Sequence, residues 1–502
     1  MKRMSNKKSV ILYKNGNLLL IKPTDDTIFK ILKEILTFTT TTPLFGKAKF
    51  EAKRQGRPTI QTTTETLFDL VQDDDIMTMF GFWKLIRDAL RNAGYSVSFL
   101  DVTKNKKLEV YKHSPENLAT YVLRENQPEF LQKIISNRCG RLDCPPGFGK
   151  SFLIGMIALL FPRARIDVVS KSLPILRDTI YPALKTTIGE VGIKCSGMDV
   201  KNKRVMCYSS GCLRHAKADD CDILLVDESH QMGADKASAE LSRWQNSRNF
   251  GLSASHDRRI DGKSLRCQGL FGPVIFSVDY QTAANAELVV PLEVHWTDVK
   301  MLSDPCGAHE SVERKRNGYW TNTYRNQLIA EDANQYEEDR QVLITVETLE
   351  HALNLKKLLP DFTLMYAENG MDKQRRRRAI RQGFISEGEP EMTIHRRRQL
   401  TEQFEEGILK KVIATTVWNV GVSFNALEVL IRGDGGGSPI NDIQIPGRVS
   451  RISEGKTVGV IHDYMDHFNS TTLSRSKRRS KVYKENKWTQ IFPEDDTLNS
   501  SF

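Results

Sequence analysis

The sequence predicts an α/β protein in which a small α+β domain precedes two tandem units, each a parallel sheet flanked by helices. Short apolar runs alternate with helical stretches from about residue 115 to 298 and again from about 326 to 465. Such alternation is typical of parallel sheets with helical crossovers. Between the two regions, residues 299–325 are polar and contain Pro305 and Gly307, which indicates a linker.

The α+β domain is predicted to span residues 1–112. Residues 10–21 have the pattern of a hairpin around an Asn15-Gly16 turn, and Phe80–Ala93 has that of a helix ending at Gly94. No residue in this domain has a catalytic pattern. We interpret it as an accessory domain that can bind DNA, and a packing module without a nucleic-acid role is the alternative.

The composition excludes a membrane protein and favours a polyanionic partner. The 502 residues are 39% hydrophobic and carry a net charge of +11. No apolar run is long enough to span a bilayer, and no signal peptide is evident, so we expect a cytoplasmic protein with no membrane contact. The positive charge concentrates at residues 375–398 and in a basic tail, residues 469–502. Each cluster could bind nucleic acid or be a solvated surface.

The eight cysteines are expected to be free thiols. None forms a C-x-x-C pair, and the spacing of Cys207, Cys212 and Cys221 does not fit the common zinc sites. A zinc site at these three residues is the alternative.

A phosphate-binding loop is predicted at Cys144–Ser151, between a short apolar run and a helical segment. The pattern is G-x-x-x-x-G-K-[ST], with Cys144 where glycine is usual. Lys150 would reach the outer phosphates and Ser151 would ligate Mg²⁺. The intervening residues would bind the nucleotide: Pro146, Gly147, Phe148 and Gly149. The backbone N–H groups of this loop would cradle the phosphates. Taken alone, the imperfect match could also be an ordinary loop.

An acidic pair follows the apolar run Ile223–Val226. Asp227 lies 77 residues after Lys150 (227 − 150), and in phosphate-loop enzymes an aspartate here holds Mg²⁺. Glu228 would polarise the attacking water as general base. It would also ligate Mg²⁺ together with Ser151 and Asp227. A helix cap is the alternative for such a pair.

The order of motifs resembles that of superfamily 2 helicases of the DExH-box kind. The motifs are Lys150-Ser151, Asp227-Glu228-Ser229-His230, Ser253-Ala254-Ser255 and Gln444-Ile445-Pro446-Gly447-Arg448-Val449-Ser450-Arg451. The last one matches Q-x-x-G-R-x-x-R, the most specific of the set. The likeness is greatest to phage UvsW-like recombination and repair DNA helicases, and it extends over about 120–465.

This resemblance implies two RecA-like lobes and roles for matching residues. Gln127 would read adenine, while His230 and Ser253 would couple the phosphate site to the nucleic acid. Gln444, Arg448 and Arg451 would act from the second lobe, and Gly421 would contact the nucleotide. Nucleic-acid contacts are implied for the following residues: Ser170, Lys171, Ser172, Ser210, Arg258, Arg259, Lys263, Thr415 and Thr416.

Two further segments are open to interpretation. Residues 370–397 look like an arginine-rich insertion, which is either a strand-contacting element or a loop. Trp418 is expected in the core, with base stacking as the alternative.

The resemblance implies an ATP- and Mg²⁺-dependent DNA helicase or translocase, acting as a monomer on single-stranded, forked or branched DNA with 3′-to-5′ polarity. The expected domains are lobe 1 at 113–298, a linker at 299–325 and lobe 2 at 326–468. If the protein is phage-encoded, it would act in the cytoplasm of an infected cell. Three alternatives stay open: an RNA helicase, a restriction-type motor subunit and a non-hydrolysing nucleic-acid-binding scaffold.

Overall fold

The structure, a computed structural model, describes residues 8–44, 46–71, 75–103, 108–110, 121–233, 235–253, 264–307, 311–418, 424–436 and 441–493. The chain forms two compact units. One comprises Met1–Cys144 with Lys150–Ser277, and the other comprises Val278–Phe502 with Pro145–Gly149. The units are mixed α/β structures with parallel sheets, so the predicted fold class is confirmed.

The N-terminal part of the first unit is built on a mixed five-stranded sheet. Its strands are β1 Ser9–Asn15, β2 Leu18–Lys22, β5 Phe68–Leu70, β6 Ile76–Met79 and β7 Ser96–Asp101, in the spatial order β5-β6-β2-β1-β7. β1 and β2 form the predicted hairpin. The helices Asp26–Ile35 and Trp83–Asn92 bury Ile28, Leu32, Ile86 and Leu90 in the apolar core of this sheet.

A two-stranded ribbon projects from this domain. Its strands are β3 Thr37–Pro43 and β4 Ile60–Thr66, and the helix Gly46–Arg54 connects them. The Thr37 and Thr66 hydroxyls lie 3.0 Å apart across the ribbon. Cross-strand threonine pairs of this kind support a sheet that has little apolar side chain to bury.

The N-terminal domain is packed directly against the larger sheet of the same unit. The Asn17 side chain donates to the backbone oxygen of Ser247 at 3.2 Å, and Arg266 forms an ion pair with Glu65 of the ribbon. At Gly81 a Cβ atom would collide with the Gln268 and Gly269 carbonyl oxygens. The close backbone approach therefore requires glycine there.

The larger sheet of the first unit has eight strands. They are β8 Cys139–Asp143, β9 Ile166–Ser170, β10 Val191–Cys195, β11 Met198–Val200, β12 Val205–Ser209, β13 Ile223–Asp227, β14 Arg248–Ser253 and β15 Val274–Ser277. The order is β11-β10-β12-β9-β13-β14-β8-β15, and every pairing is parallel except β10 with β11. β9 and β13 are buried along their whole length, as helices on both faces require. The helices include Gln127–Ser136, Lys150–Leu160, Tyr181–Ile188, Asp235–Leu241 and Ser264–Phe271.

The second unit contains a seven-stranded sheet in which every ladder is parallel. Its strands are β16 Leu292–Val299, β17 Val342–Thr345, β18 Thr363–Met365, β19 Lys411–Ala414, β20 Val429–Arg432, β21 Gly459–Asp466 and β22 Thr489–Ile491, in the order β18-β19-β17-β20-β21-β16-β22. The helices include Tyr280–Asn285, Thr323–Asn334, Leu349–Leu358, Lys373–Arg381, Ile394–Glu405 and Ser470–Glu485.

Three boundaries expected from the sequence are wrong. β16 pairs with β21 and β22, so residues 292–298 belong to the second unit. The division falls between Ser277 and Val278. The supposed linker 299–325 includes the helix Ser311–Lys315, and the supposed tail forms the helix Ser470–Glu485 and strand β22. Hydrophobic patterning could not assign β16, because the pattern of a strand does not reveal which sheet it joins.

The arginine-rich segment is helical at Lys373–Arg381 and again from the start of the helix Ile394–Glu405, and residues 382–393 between them are not helical. Trp418 is buried and packs against Phe404 and Phe424, as expected for a core residue. All eight cysteines are free, as predicted. Within the described ranges no helix has the length and apolar content to cross a bilayer.

Buried ion pairs fix the C-terminal helix to the second sheet. Arg479 is fully buried and donates to both Asp463 carboxylate oxygens, at 3.1 and 3.0 Å. Tyr483 donates to the same carboxylate at 2.7 Å and accepts from Arg432 at 2.8 Å. Arg432 also pairs with Asp442 at 2.8 Å. Arg479 belongs to the basic segment 469–502, for which the sequence had left nucleic-acid binding and a solvated surface open, and the structure uses its charge inside the core.

We expect Arg479→Met to destabilise the second unit by about 3–5 kcal/mol, because it leaves the buried Asp463 carboxylate without its arginine. Arg478→Met is the matched control, since Arg478 is exposed on the same helix, and it should change stability by about 0.5 kcal/mol or less. Urea unfolding followed by circular dichroism measures both. Equal effects of the two substitutions would contradict the structural role of Arg479.

Candidate active site

Four neighbouring strands of the first large sheet end together and bring polar residues to one edge. Asp227 is in register with Ser170 on one side and with Leu252 on the other. Ser253 is in register with Asp143 at the end of β8. In parallel sheets the crevice outside the carboxyl ends of the strands is the usual place for ligands.

The predicted phosphate-binding loop leaves this edge after β8. The Cys144 N–H donates to the Ser253 carbonyl at 2.9 Å, which extends the ladder by one step. Gly147 and Gly149 have φ of 87° and 91°, a conformation that favours glycine. The helix Lys150–Leu160 starts next, with Lys150 donating to the Cys144 carbonyl at 3.3 Å. The lysine side chain thus folds back over the loop. Its ammonium group could exchange the Cys144 carbonyl for the oxygen of an incoming phosphate.

Cys144 is the position that departs from the phosphate-loop pattern. Its side chain is buried, and burial raises the pKa of the thiol. The thiol is therefore protonated and packs as a small apolar group.

Asp227 and Glu228 form a coupled acidic pair at the end of β13. Asp227 is buried, and burial, followed by the nearby Glu228 charge, raises its pKa to about 7, although the Lys150 charge opposes this rise. Glu228 has φ of 47°, an uncommon conformation for a residue with a side chain. Backbone strain of this kind concentrates at functional sites.

His230 connects the acidic pair to β14. Its Nδ1 lies 2.6 Å from the Ser253 hydroxyl and 3.2 Å from a Glu228 carboxylate oxygen. The histidine and the serine are therefore in direct contact. The His230 side chain thus connects the end of β14 directly to the Glu228 carboxylate.

The donor set fits a magnesium nucleotide better than a metal bound by protein alone. No group of three or more His, Cys, Asp or Glu is placed to hold a metal in the described part of the chain. Mg²⁺ usually takes only one or two carboxylates and completes its shell with phosphates and water. Asp227, Glu228 and the Ser151 hydroxyl are the residues that would hold it.

Other residues predicted in the first unit lie at or near the same end of the sheet. Ser170 is buried at the end of β9 and Ser210 follows β12. Lys171 is exposed, and the Ser172 hydroxyl accepts from Ile175 N–H at 3.4 Å, a local contact like that of a helix cap. Gln127 is buried and accepts from Arg124 N–H at 3.0 Å.

In the second unit, the predicted residues lie in two loops. Gln444 ends the short helix Asn441–Gln444, and Arg448 is buried in the turn that follows. Burial, and then the charge of Arg451, lower the pKa of Arg448. Thr415, which is buried, and Thr416, which is exposed, follow β19.

Four predicted site residues lie outside the described residues: Arg258, Arg259, Lys263 and Gly421. Ala254 and Ser255 of the Ser-Ala-Ser motif do as well.

Sequence reasoning missed the residues that position Gln444. Asp442 is in the same short helix and pairs with Arg432, which also bonds to Tyr483 of the C-terminal helix. The spacing of Thr472, Ser476, Arg479 and Tyr483 follows one face of a helix. That face is mostly polar, so hydrophobic periodicity did not reveal it.

Comparison with known proteins agrees with this architecture. Residues 323–453 match the family described as helicase conserved C-terminal domain. A viral protein named "Putative helicase 22", from Sulfolobus islandicus filamentous virus, is 22% identical over 272 residues. The match covers 54% of this chain and 47% of that protein, so the chain spans about half the length of its curated relative.

Two solved structures are similar across most of the chain. Saccharomyces cerevisiae Dbp5 bound to RNA and ADP BeF3 aligns with a TM-score of 0.52 and 13% identity, covering 78% of this chain and 95% of Dbp5. UvsW of bacteriophage T4 aligns with a TM-score of 0.42 and 14% identity, covering 96% and 99%. The chain thus has the fold of tandem RecA-like domains, and residues 323–453 of its second unit match the helicase conserved C-terminal domain.

We expect Asp227→Asn to stabilise the protein at pH 8 by ~4 kcal/mol, and to have little effect near pH 4. The folded pKa of Asp227, about 7, exceeds the ordinary value of 3.8. The folded state therefore binds more protons between these values, and stability falls as pH rises through this window. Denaturant unfolding at pH 4, 6 and 8 tests the difference. A stability difference independent of pH would show that burial does not perturb this carboxyl.

Proposed function

We propose that this protein is an ATP- and Mg²⁺-dependent superfamily 2 helicase or translocase that acts on DNA. The proposal is carried by the carboxyl-edge cluster of the first unit. There, Lys150 and the Asp227–Glu228 pair interact electrostatically, and His230 contacts both Glu228 and Ser253. The helicase C-terminal domain match and the Dbp5-like fold support it.

The predicted phosphate loop and residues of the first unit divide the work on ATP. Lys150 and the N–H groups of Gly147, Phe148 and Gly149 bind the phosphates, and Gln127 binds adenine through its amide. Ser151, Asp227 and Glu228 would hold Mg²⁺, which would neutralise phosphate charge. Glu228 accepts a proton from the attacking water, and its contact with His230, 3.2 Å from Nδ1, orients the carboxylate.

The second unit supplies arginines in this proposal. Arg448 is buried, and burial lowers its pKa because it disfavours the charged guanidinium group. A phosphate anion beside Arg448 would stabilise that positive charge. Arg448 and Arg451 then act as arginine fingers, which are worth ~10³ to 10⁵ in rate in known enzymes.

The nucleic-acid assignment rests on the resemblance and on the charge. Accessible hydroxyls such as those of Ser210 and Thr416 suit phosphate contacts, which position a nucleic-acid strand without reading its sequence. Branched or forked DNA with 3′-to-5′ movement is the substrate that the UvsW-like motifs imply. An RNA helicase is the second candidate, because the structurally similar Dbp5 was solved with RNA and phosphate contacts do not select the sugar.

We expect Glu228→Gln to retain nucleotide binding and lose about a hundredfold or more in ATP turnover, because the amide cannot accept the water's proton. Phosphate release measures turnover, and fluorescent-nucleotide binding measures affinity. Glu190→Gln, an acid that is 80% exposed in the same unit, is the matched control and should leave both unchanged. Full turnover in the Glu228 variant would remove this residue as general base.

We expect DNA to stimulate ATP hydrolysis more than RNA of the same sequence. Single-stranded DNA, single-stranded RNA and a four-way DNA junction, compared at equal nucleotide concentration and fixed salt, provide the measurement. The junction should stimulate most if branched DNA is the substrate. Stimulation by RNA alone would replace the DNA proposal with the RNA helicase.

A further inference from the structure

A cationic cavity of about 400 Å³ lies in the second unit, apart from the predicted motifs. Its polar lining includes Arg316, Glu350, Asn354, Arg375, Arg378 and Gln382. Two of its walls are the helices Leu349–Leu358 and Lys373–Arg381, which follow β17 and β18. The cavity is therefore at the carboxyl edge of the second sheet.

The charges of the cavity are only partly neutralised. Arg316 donates to Glu350 at 2.9 and 2.6 Å. Arg375 donates to the Gly370 carbonyl at 2.9 Å, and among the described residues neither Arg375 nor Arg378 has a carboxylate partner. Three arginines against one glutamate leave a surplus of two positive charges (3 − 1).

The helix Lys373–Arg381 keeps this charge at the surface. Asp372 caps it by accepting from Arg375 N–H at 2.7 Å, and only Ala379 is buried. Arg375 and Arg378 are three residues apart, so both project on the cavity side, where like charges repel. A bound anion would relieve that repulsion.

The cavity lies near the predicted nucleic-acid contacts of the same unit. β19 is located between β17 and β18 in the sheet, and Thr415 and Thr416 follow β19 directly. The arginines and these hydroxyl groups thus belong to loops and helices at the ends of three adjacent strands. A nucleic-acid strand bound at Thr416 would lie beside the strands whose following helices line the cavity.

We propose that this arginine cavity binds backbone phosphates of the nucleic acid, an inference that rests on the proposed function. Arg375 and Arg378 present planar groups of donors suited to phosphate oxygens. Asn354 and Gln382 add neutral donors. The contacts are to phosphate alone, so the cavity increases affinity on every sequence and does not select bases.

The test is the double variant Arg375→Gln/Arg378→Gln in the full-length protein. Anisotropy of labelled oligodeoxythymidine, titrated over a range of salt, should show about tenfold weaker binding. The slope of log affinity against log salt should fall by about 1.4, the value for two phosphate contacts on a single strand. Nucleotide affinity and ATP hydrolysis without nucleic acid should not change.

Arg377→Gln is the matched control, because Arg377 is exposed on the same helix but does not line the cavity. It should bind the oligonucleotide like the unaltered protein. An equal loss in this control would overturn the proposal in favour of diffuse surface charge. Unchanged oligonucleotide binding in the double variant would overturn it too, and weaker inorganic phosphate binding in that case would assign the cavity to a small free anion.

Failure of the proposed function has a different signature. If the unaltered protein hydrolyses no ATP with or without nucleic acid, the motor is wrong whatever the anisotropy shows. If the unaltered protein hydrolyses ATP normally and the double variant binds the oligonucleotide with unchanged affinity, the proposed motor function is retained and the cavity assignment is wrong.

Discussion

The register of parallel strands is the constraint on which the site depends. Backbone hydrogen bonds hold Asp227 beside Ser170, and Ser253 beside Asp143, at one edge of the first large sheet. β9 and β13 are buried along their whole length, because helices cover both faces of the sheet. A ligand therefore reaches polar side chains of these strands where the strands end. The phosphate loop starts from that same edge, and the Cys144 N–H bond to Ser253 fixes where it begins.

Buried charges in the two units have different partners, and the difference separates structural from candidate catalytic groups. Arg479 and Arg432 are matched by Asp463 and Asp442, so their charges hold the fold together. Asp227 instead neighbours a second carboxylate, and its pKa rises to about 7. Like charges kept together at a stability cost are typical of a site prepared for a cation or a phosphate-bound metal.

The C-terminal helix links the stability of the second unit to its candidate arginine motif. Tyr483 contacts both Asp463 and Arg432, and Arg432 pairs with Asp442 in the short helix that ends at Gln444. Residues beyond the 323–453 match therefore help to position residues within it. A charge-rich sequence suggested a tail here, but the charges are core contacts.

The sequence by itself determined the α/β class, and it predicted the phosphate loop and the Asp227-Glu228-Ser229-His230 motif, because these depend on local spacing and strand patterning. Tertiary structure decided what depends on distant partners. It assigned β16 to the second sheet, paired Arg479 with Asp463 and left Arg375 and Arg378 facing a cavity. The three arginines look alike in sequence. Their roles differ because burial and the nearest carboxylate, which only the fold provides, determine whether a guanidinium group is neutralised internally or available to an anion.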